Sequence, residues 1–227
     1  MRKKNKQYAL AGVTWEIPVR YRKTERMLKP FETQQIPDET FAYMAAENAV
    51  KESEQLLFAI NRVLLEKYNG VMLHGAVIEY NGQGYMFAAH SGTGKTTHIR
   101  LWEQCFGQSV RVLCGDKPFV RLTQNGEVVV YGSAWRGKEG MGYNGKCRLA
   151  GIYLLNRAQE NRIFPATTVQ KLQGLMHAAL FEKDLQQVFL TVAEEICKRV
   201  PIHVLECNKE PQAAILVKEH VDGDAKD

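Results

Sequence analysis

The stretch Ser91-Gly92-Thr93-Gly94-Lys95-Thr96 follows an apolar run, Tyr85-Met86-Phe87-Ala88-Ala89, and leads into an amphipathic one over residues 95–106. Strand, glycine-rich loop and helix in that order turn backbone amides and a helix N-terminus toward one point, the arrangement of a phosphate-binding loop. Gly92 and Gly94 let the backbone curl around a β-phosphate, Lys95 brings a point charge to β and γ oxygens, and Thr96 offers a hydroxyl to magnesium. Ser91, Thr93 and Thr97 complete the expected nucleotide-binding set. Ala89 stands where the general pattern has its first glycine, which the loop tolerates if that residue keeps a negative φ. The bland alternative is a chance glycine loop capping an ordinary helix.

Outward from the loop, residues 71–80 and 84–89 read as two strands joined by a tight turn at Asn81-Gly82. Residues 110–114 read as a short buried strand, and 119–122 with 127–131 as a second hairpin around Asn125-Gly126. Five glycines between positions 132 and 145 mark a loop, and 149–155 a core strand. Helices are expected over 168–181, 185–199 and 211–221, with a strand at 202–206. On the N-terminal side, residues 8–17 read as one strand added to the edge of the main sheet. The spacing of Phe41, Met44, Ala45, Val50, Leu56, Leu57, Ile60, Leu64 and Leu65 fits one or two helices within 39–68.

The expected fold is therefore an α/β domain, a mixed sheet flanked by helices and containing a P-loop. Its expected organisation is a strand and helical segment over 1–70 packed on the core, a nucleotide-binding domain over 71–221, and a frayed tail over 222–227. At 227 residues a second full domain is not expected.

Three further positions bear on chemistry. Asp116 follows the hydrophobic run 110–114 at the strand end where open α/β sheets keep ligands, and suits a second magnesium anchor; an aspartate there is equally often a turn former. His74 lies one strand before the loop, within range of a γ-phosphate as base, proton donor or orienting group, or else as an ordinary core histidine. Arg136 and Lys138 fall in the glycine-rich stretch and would clamp phosphate or substrate, or form a solvated pair.

Composition excludes several classes. No apolar run approaches the ~20 residues of a membrane span, and the basic start Met1-Arg2-Lys3-Lys4-Asn5-Lys6 is not followed by an apolar signal core. A cytoplasmic protein without membrane partners is expected. Cys105, Cys114, Cys147, Cys197 and Cys207 are odd in number and widely spaced, against a disulfide framework or a zinc site. The net charge of +5 suits an anionic ligand but is too small to indicate nucleic acid.

Leu73-His74-Gly75, the run Ser91 to Thr97, and Gly115-Asp116-Lys117-Pro118 resemble, in this order, the catalytic domain of HPr kinase/phosphorylase and its shorter relatives, some of which phosphorylate precursor peptides. The loop is also similar to that of ATP-dependent phosphoenolpyruvate carboxykinase. The resemblance covers residues 71–221 and extends to the stretches 131–140 and 207–211. It implies that Lys95 and Thr96 bind phosphates and Mg2+, that Asp116 is the metal-binding member of the family's paired aspartates, and that His74 is its active-site histidine. Gly115 departs from the family, which has the presumed general base there, so Asp116 fills both roles or His74 takes the proton. Members form oligomers, so a homo-oligomer is expected.

The function expected from these readings is a Mg-ATP-dependent kinase acting on a hydroxyl, either a serine of a peptide or protein or a small molecule. A carboxykinase-like enzyme and a nucleotide-binding sensor without turnover are the alternatives.

Overall fold

The computed structural model describes residues 5–42, 45–90 and 92–224. The chain begins with β1 (Lys6–Leu10) and β2 (Val13–Ile17), then α1 (Arg22–Leu28), β3 (Glu32–Thr33), β4 (Glu39–Thr40) and α2 (Ala49–Lys67). The four strands form their own sheet in the order β3-β1-β2-β4. Residues 8–17 are thus a hairpin and not one strand at the edge of the main sheet: Ala11 and Gly12 take φ of +56° and +70°, the left-handed pair that a two-residue hairpin needs. Alanine in the first turn position hid that turn in the sequence.

Helix α2 starts later than expected. Asn48 accepts from the backbone N–H groups of Val50 and Lys51 at 3.0 Å each and fixes the first turn. Upstream, Glu39 and Thr40 are strand, Phe41 stacks on Trp15 at 5.3 Å, and Met44 lies outside the described residues. The apolar face of α2, Leu56, Leu57, Ile60 and Leu64, packs with Tyr8, Trp15, Met72, Phe119 and Trp135 into one cluster. That cluster joins the small sheet to the rest of the molecule.

The second sheet has nine strands. They are β5 (Gly70–Met72), β6 (Gly75–Tyr80), β7 (Gln83–Ala88), β8 (Val110–Cys114), β9 (Phe119–Leu122), β10 (Val128–Tyr131), β11 (Lys146–Arg157), β12 (Arg162–Pro165) and β13 (Ile202–Cys207). Helix α3 (Lys95–Phe106) follows β7, α4 (Thr168–Ala178) follows β12, α5 (Gln186–Arg199) precedes β13, and α6 (Pro211–Asp224) closes the chain. The sheet order is β5-β9-β10-β11-β7-β6-β8, and β13 pairs in parallel with the second half of β11, along the edge whose first residues hold β10. Parallel and antiparallel pairs therefore mix, and the sheet splits at β11. Helices α4 and α5 cover one face and α3 and α6 the other.

Further expectations need correction. Residues 71–80 are two strands, because β5 pairs with β9 while β6 pairs with β7, and the chain crosses between them at Leu73 and His74. Strand β12 escapes the sequence pattern, since its four largely exposed edge residues show no alternation and end in a proline. The fourth helix stops at Ala178 and not at 181, whereas α6 runs through positions 222–224, where a frayed tail was expected. All five cysteines are free thiols.

Candidate functional site

The loop after β7 reaches α3 through Gly94, whose φ of +127° is open to glycine alone. Ala89 does not have a positive φ, so its side chain is tolerated at the loop's start. Ser91 lies outside the described residues. The bond from His98 N–H to Gly94 O at 2.9 Å opens the α3 ladder, so the amides of Lys95, Thr96 and Thr97 precede it as the donors of a helix N-terminus that have no partner within the helix. Lys95, 7% exposed, turns back to donate to the carbonyls of Ala89 at 2.9 Å and His90 at 3.3 Å. Burial lowers its pKa, against an opposing pull from Asp116. Arg157, at the end of β11 beside β7, donates to the carbonyls of Thr93, at 2.9 Å, and Gly92.

Facing this loop is the crossing between β5 and β6. His74 N–H donates to Ala178 O at 2.6 Å and Gly75 N–H to Asp116 O at 2.9 Å, so the crossing is pinned to the residue that follows β8 and Gly115. The side chains then meet: His74 Nε2 lies 3.0 Å from Asp116 Oδ1, and Lys117 Nζ lies 2.5 Å from Oδ2. Burial pushes the Asp116 carboxyl up, but the hydrogen bonds from His74 and Lys117 outweigh it and hold the pKa at about 2. Asp116 is an ionised, oriented carboxylate.

The loop over 132–145 folds onto the same spot. Lys117 N–H donates to Trp135 O at 3.1 Å and Gly115 N–H to Met141 O at 3.0 Å. Trp135, 8% exposed, anchors the loop to α2 by donating from Nε1 to Ser53 Oγ at 3.0 Å. Arg136 donates from Nε to Ser133 O at 3.2 Å, whereas its Nη2 is buried without a hydrogen-bond partner.

His74, Gly92, Gly94, Lys95, Thr96, Thr97, Asp116, Arg136 and Lys138 consequently line one cleft of about 770 Å³. Thr93 is turned to the other side of the loop, where it lines a second cavity of about 450 Å³ with Arg157, Gln173 and His177. Sequence reasoning missed Lys117 and Arg157. Lys117 was readable as the neighbour of Asp116, but Arg157 comes from a distant strand and carries no local signal.

Among the described residues no three His, Cys, Asp or Glu side chains gather as a metal cage. The cleft offers the carboxylates of Asp116, held ionised, and of Glu139, which is paired with Arg100, and the hydroxyls of Thr96 and Thr97. Few, hard oxygen donors fit magnesium, which keeps several waters and takes its remaining ligands from substrate phosphates.

No family model matches the sequence, and neither does any curated protein. Among solved structures the chain is similar to the HPr(Ser) kinase/phosphatase from Coxiella burnetii, at 8% identity over 68% of this chain and 90% of that one, with a TM-score of 0.41. This is a distant structural relationship only, and the chemistry has to be read from the cleft's own residues. No described helix is long and apolar enough to cross a membrane.

Proposed function

We propose that the chain is a Mg-ATP-dependent kinase that transfers the γ-phosphoryl group to a hydroxyl, of a peptide or protein serine or of a small molecule. The observation that carries this reading is a single cleft with the N-terminus of α3 and Lys95 on one wall and the His74–Asp116 pair on the other. A cytoplasmic setting and homo-oligomerisation belong to the same proposal.

In this reading the amides at the start of α3 hold the nucleotide phosphates, and Lys95 leaves the Ala89 and His90 carbonyls to meet them. An anion there offsets the burial that lowers the lysine's pKa. Magnesium, when bound by Thr96 and Asp116, supplies charge neutralisation for the transferring group. With Nε2–H donated to Asp116, the assigned tautomer of His74 leaves Nδ1 as a proton acceptor. The acceptor oxygen forms a bond to the γ-phosphorus as the bridging bond to the β-phosphate breaks, ADP leaves, and the hydroxyl proton passes to His74. Asp116, with a pKa of about 2, is too weak a base for that proton and acts by orienting the imidazole. This division of labour does without a carboxylate at Gly115.

Transfer of label from γ-radiolabelled ATP tests the reading. Lys95→Ala is expected to lower transfer by about a thousandfold with unchanged circular dichroism. Full activity in that variant refutes the kinase assignment. Tight ATP binding with no transfer to any acceptor would instead support the sensor reading, which the missing carboxylate at Gly115 favours.

A further inference from the structure

The cleft has a second mouth. A cavity of about 470 Å³ shares Asp116, Lys117, Arg136 and Gly137 with it, but takes its outer wall from Arg26, Met27 and Pro30 and not from α3. Asp116 thus stands at the junction of two chambers. One contains the loop that would hold a nucleotide; the other is walled by the N-terminal unit, which Asn144 Nδ2 ties to the second glycine loop by donating to Pro30 O at 3.1 Å.

Charge in the second chamber is one-sided. Lys117 is committed to Asp116, which leaves Arg26 and Arg136. Arg26 is exposed at the end of α1, and neither arginine forms an ion pair among the described residues. Arg136 Nη2 is buried with no acceptor among the described residues, a state that costs free energy and that a small turn of the guanidinium toward an oxygen in the chamber would relieve. A planar guanidinium with a free donor and a second one nearby recognise carboxylate or phosphate oxygens.

We propose that this chamber receives the phosphoryl acceptor, and that the acceptor carries a carboxylate or phosphate group close to the hydroxyl it presents at Asp116. The inference rests on the kinase reading and adds to it an acceptor class and a role for the N-terminal unit. The nucleotide enters over α3, the acceptor enters past α1, and the two meet between His74 and Arg136.

Matched acceptors differing only in charge test it: N-acetylserine against its amide, and glycerol 3-phosphate against glycerol, which also separate carboxylate from phosphate. The anionic member of at least one pair is expected to have at least tenfold higher kcat/KM. Arg26→Glu should erase that preference through the acceptor KM with the KM for ATP unchanged, and Arg26→Lys should retain most of it. Equal use of both members, or a preference that survives Arg26→Glu, overturns the inference and leaves the kinase reading standing.

If none of the four is phosphorylated, calorimetric titration of orthophosphate into protein saturated with magnesium and a non-hydrolysable ATP analogue decides. One site, weakened at least tenfold by Arg26→Glu, is expected; no binding, or equal binding, overturns the inference. Failure of the analogue to bind counts against the kinase reading. Orthophosphate is then titrated into the protein alone, where an affinity indifferent to Arg26→Glu overturns the inference as well.

Discussion

The molecule has two glycine-rich loops that face each other, and their glycines serve different ends. A side chain added at Gly92 or Gly94 would meet nothing within 4 Å, whereas one added at Gly132 would lie 2.0 Å from the Tyr143 carbonyl oxygen and 3.0 Å from that of Leu113. The first loop needs glycine for a backbone shape that leaves its amides open; the second needs it so that main chain can pack on main chain. Their charges differ in the same sense. Lys95, in the first, is buried against carbonyl dipoles and has its pKa lowered, while Asp116, under the second, is satisfied by His74 and Lys117. The first loop's backbone is left open toward something outside the chain, whereas the second loop's main chain is packed against main chain within it.

Glycine replacement breaks this comparison most sharply. Gly132→Ala is expected to cost about 3 kcal/mol, because the added carbon meets backbone that cannot swing aside. Gly94→Ala forces alanine to a φ of +127°, at about 1–2 kcal/mol, and should leave the fold intact while nucleotide binding falls at least tenfold. Urea denaturation and ATP titration of both variants check this. Comparable stability loss in the two, or undisturbed ATP binding by Gly94→Ala, would erase the distinction.

The same contrast governs how much the sequence revealed. Residues 85–106 are legible because strand, loop and helix are consecutive and each has its own local signal, the apolar run, the glycines and the 3.6-residue spacing. His74, Asp116 and Arg136 stand out one by one, yet nothing in their spacing says that they meet. That depends on the break between β5 and β6, which turns His74 to Asp116, and on Trp135 reaching Ser53 on α2. The N-terminal sheet was read as one edge strand because Ala11 takes a turn position usually filled by Asn or Gly. Arg26 had no motif at all; only the packing of α1 brings it to the wall of a cavity that Asp116 also lines.

Asp116 sharpens the comparison through pH. Its pKa is lowered from 3.8 to about 2, so the native state binds this proton less tightly than the unfolded chain, and each unit is worth about 1.4 kcal/mol. The resulting contribution, about 2 kcal/mol, is complete above the unfolded value and is lost as pH falls from about 4 toward 2. Asp116→Asn should therefore be less stable than the parent by about that amount at pH 7, with the two converging in acid. Denaturant midpoints measured from pH 7 down to the acid limit show this. A gap that is the same at every pH would mean that the carboxylate's charge is not what the second loop holds.

The smallest effect expected is at an ion pair that bridges the two sides, Arg100 on α3 with Glu139 of the second loop, at 2.5 Å. Both side chains are about half exposed, at 57% and 49%, so solvent screens the attraction and the cost of ordering two long side chains offsets most of it. Arg100→Ala should change stability by less than about 0.5 kcal/mol and leave the KM for ATP unaltered. If the first loop takes its shape from glycine geometry and the second from its own packing, neither needs this link to stay in register. A several-fold rise in the KM for ATP, suppressed in the parent by high salt, would show instead that the loops are coupled across the cleft and that closing it is part of nucleotide binding.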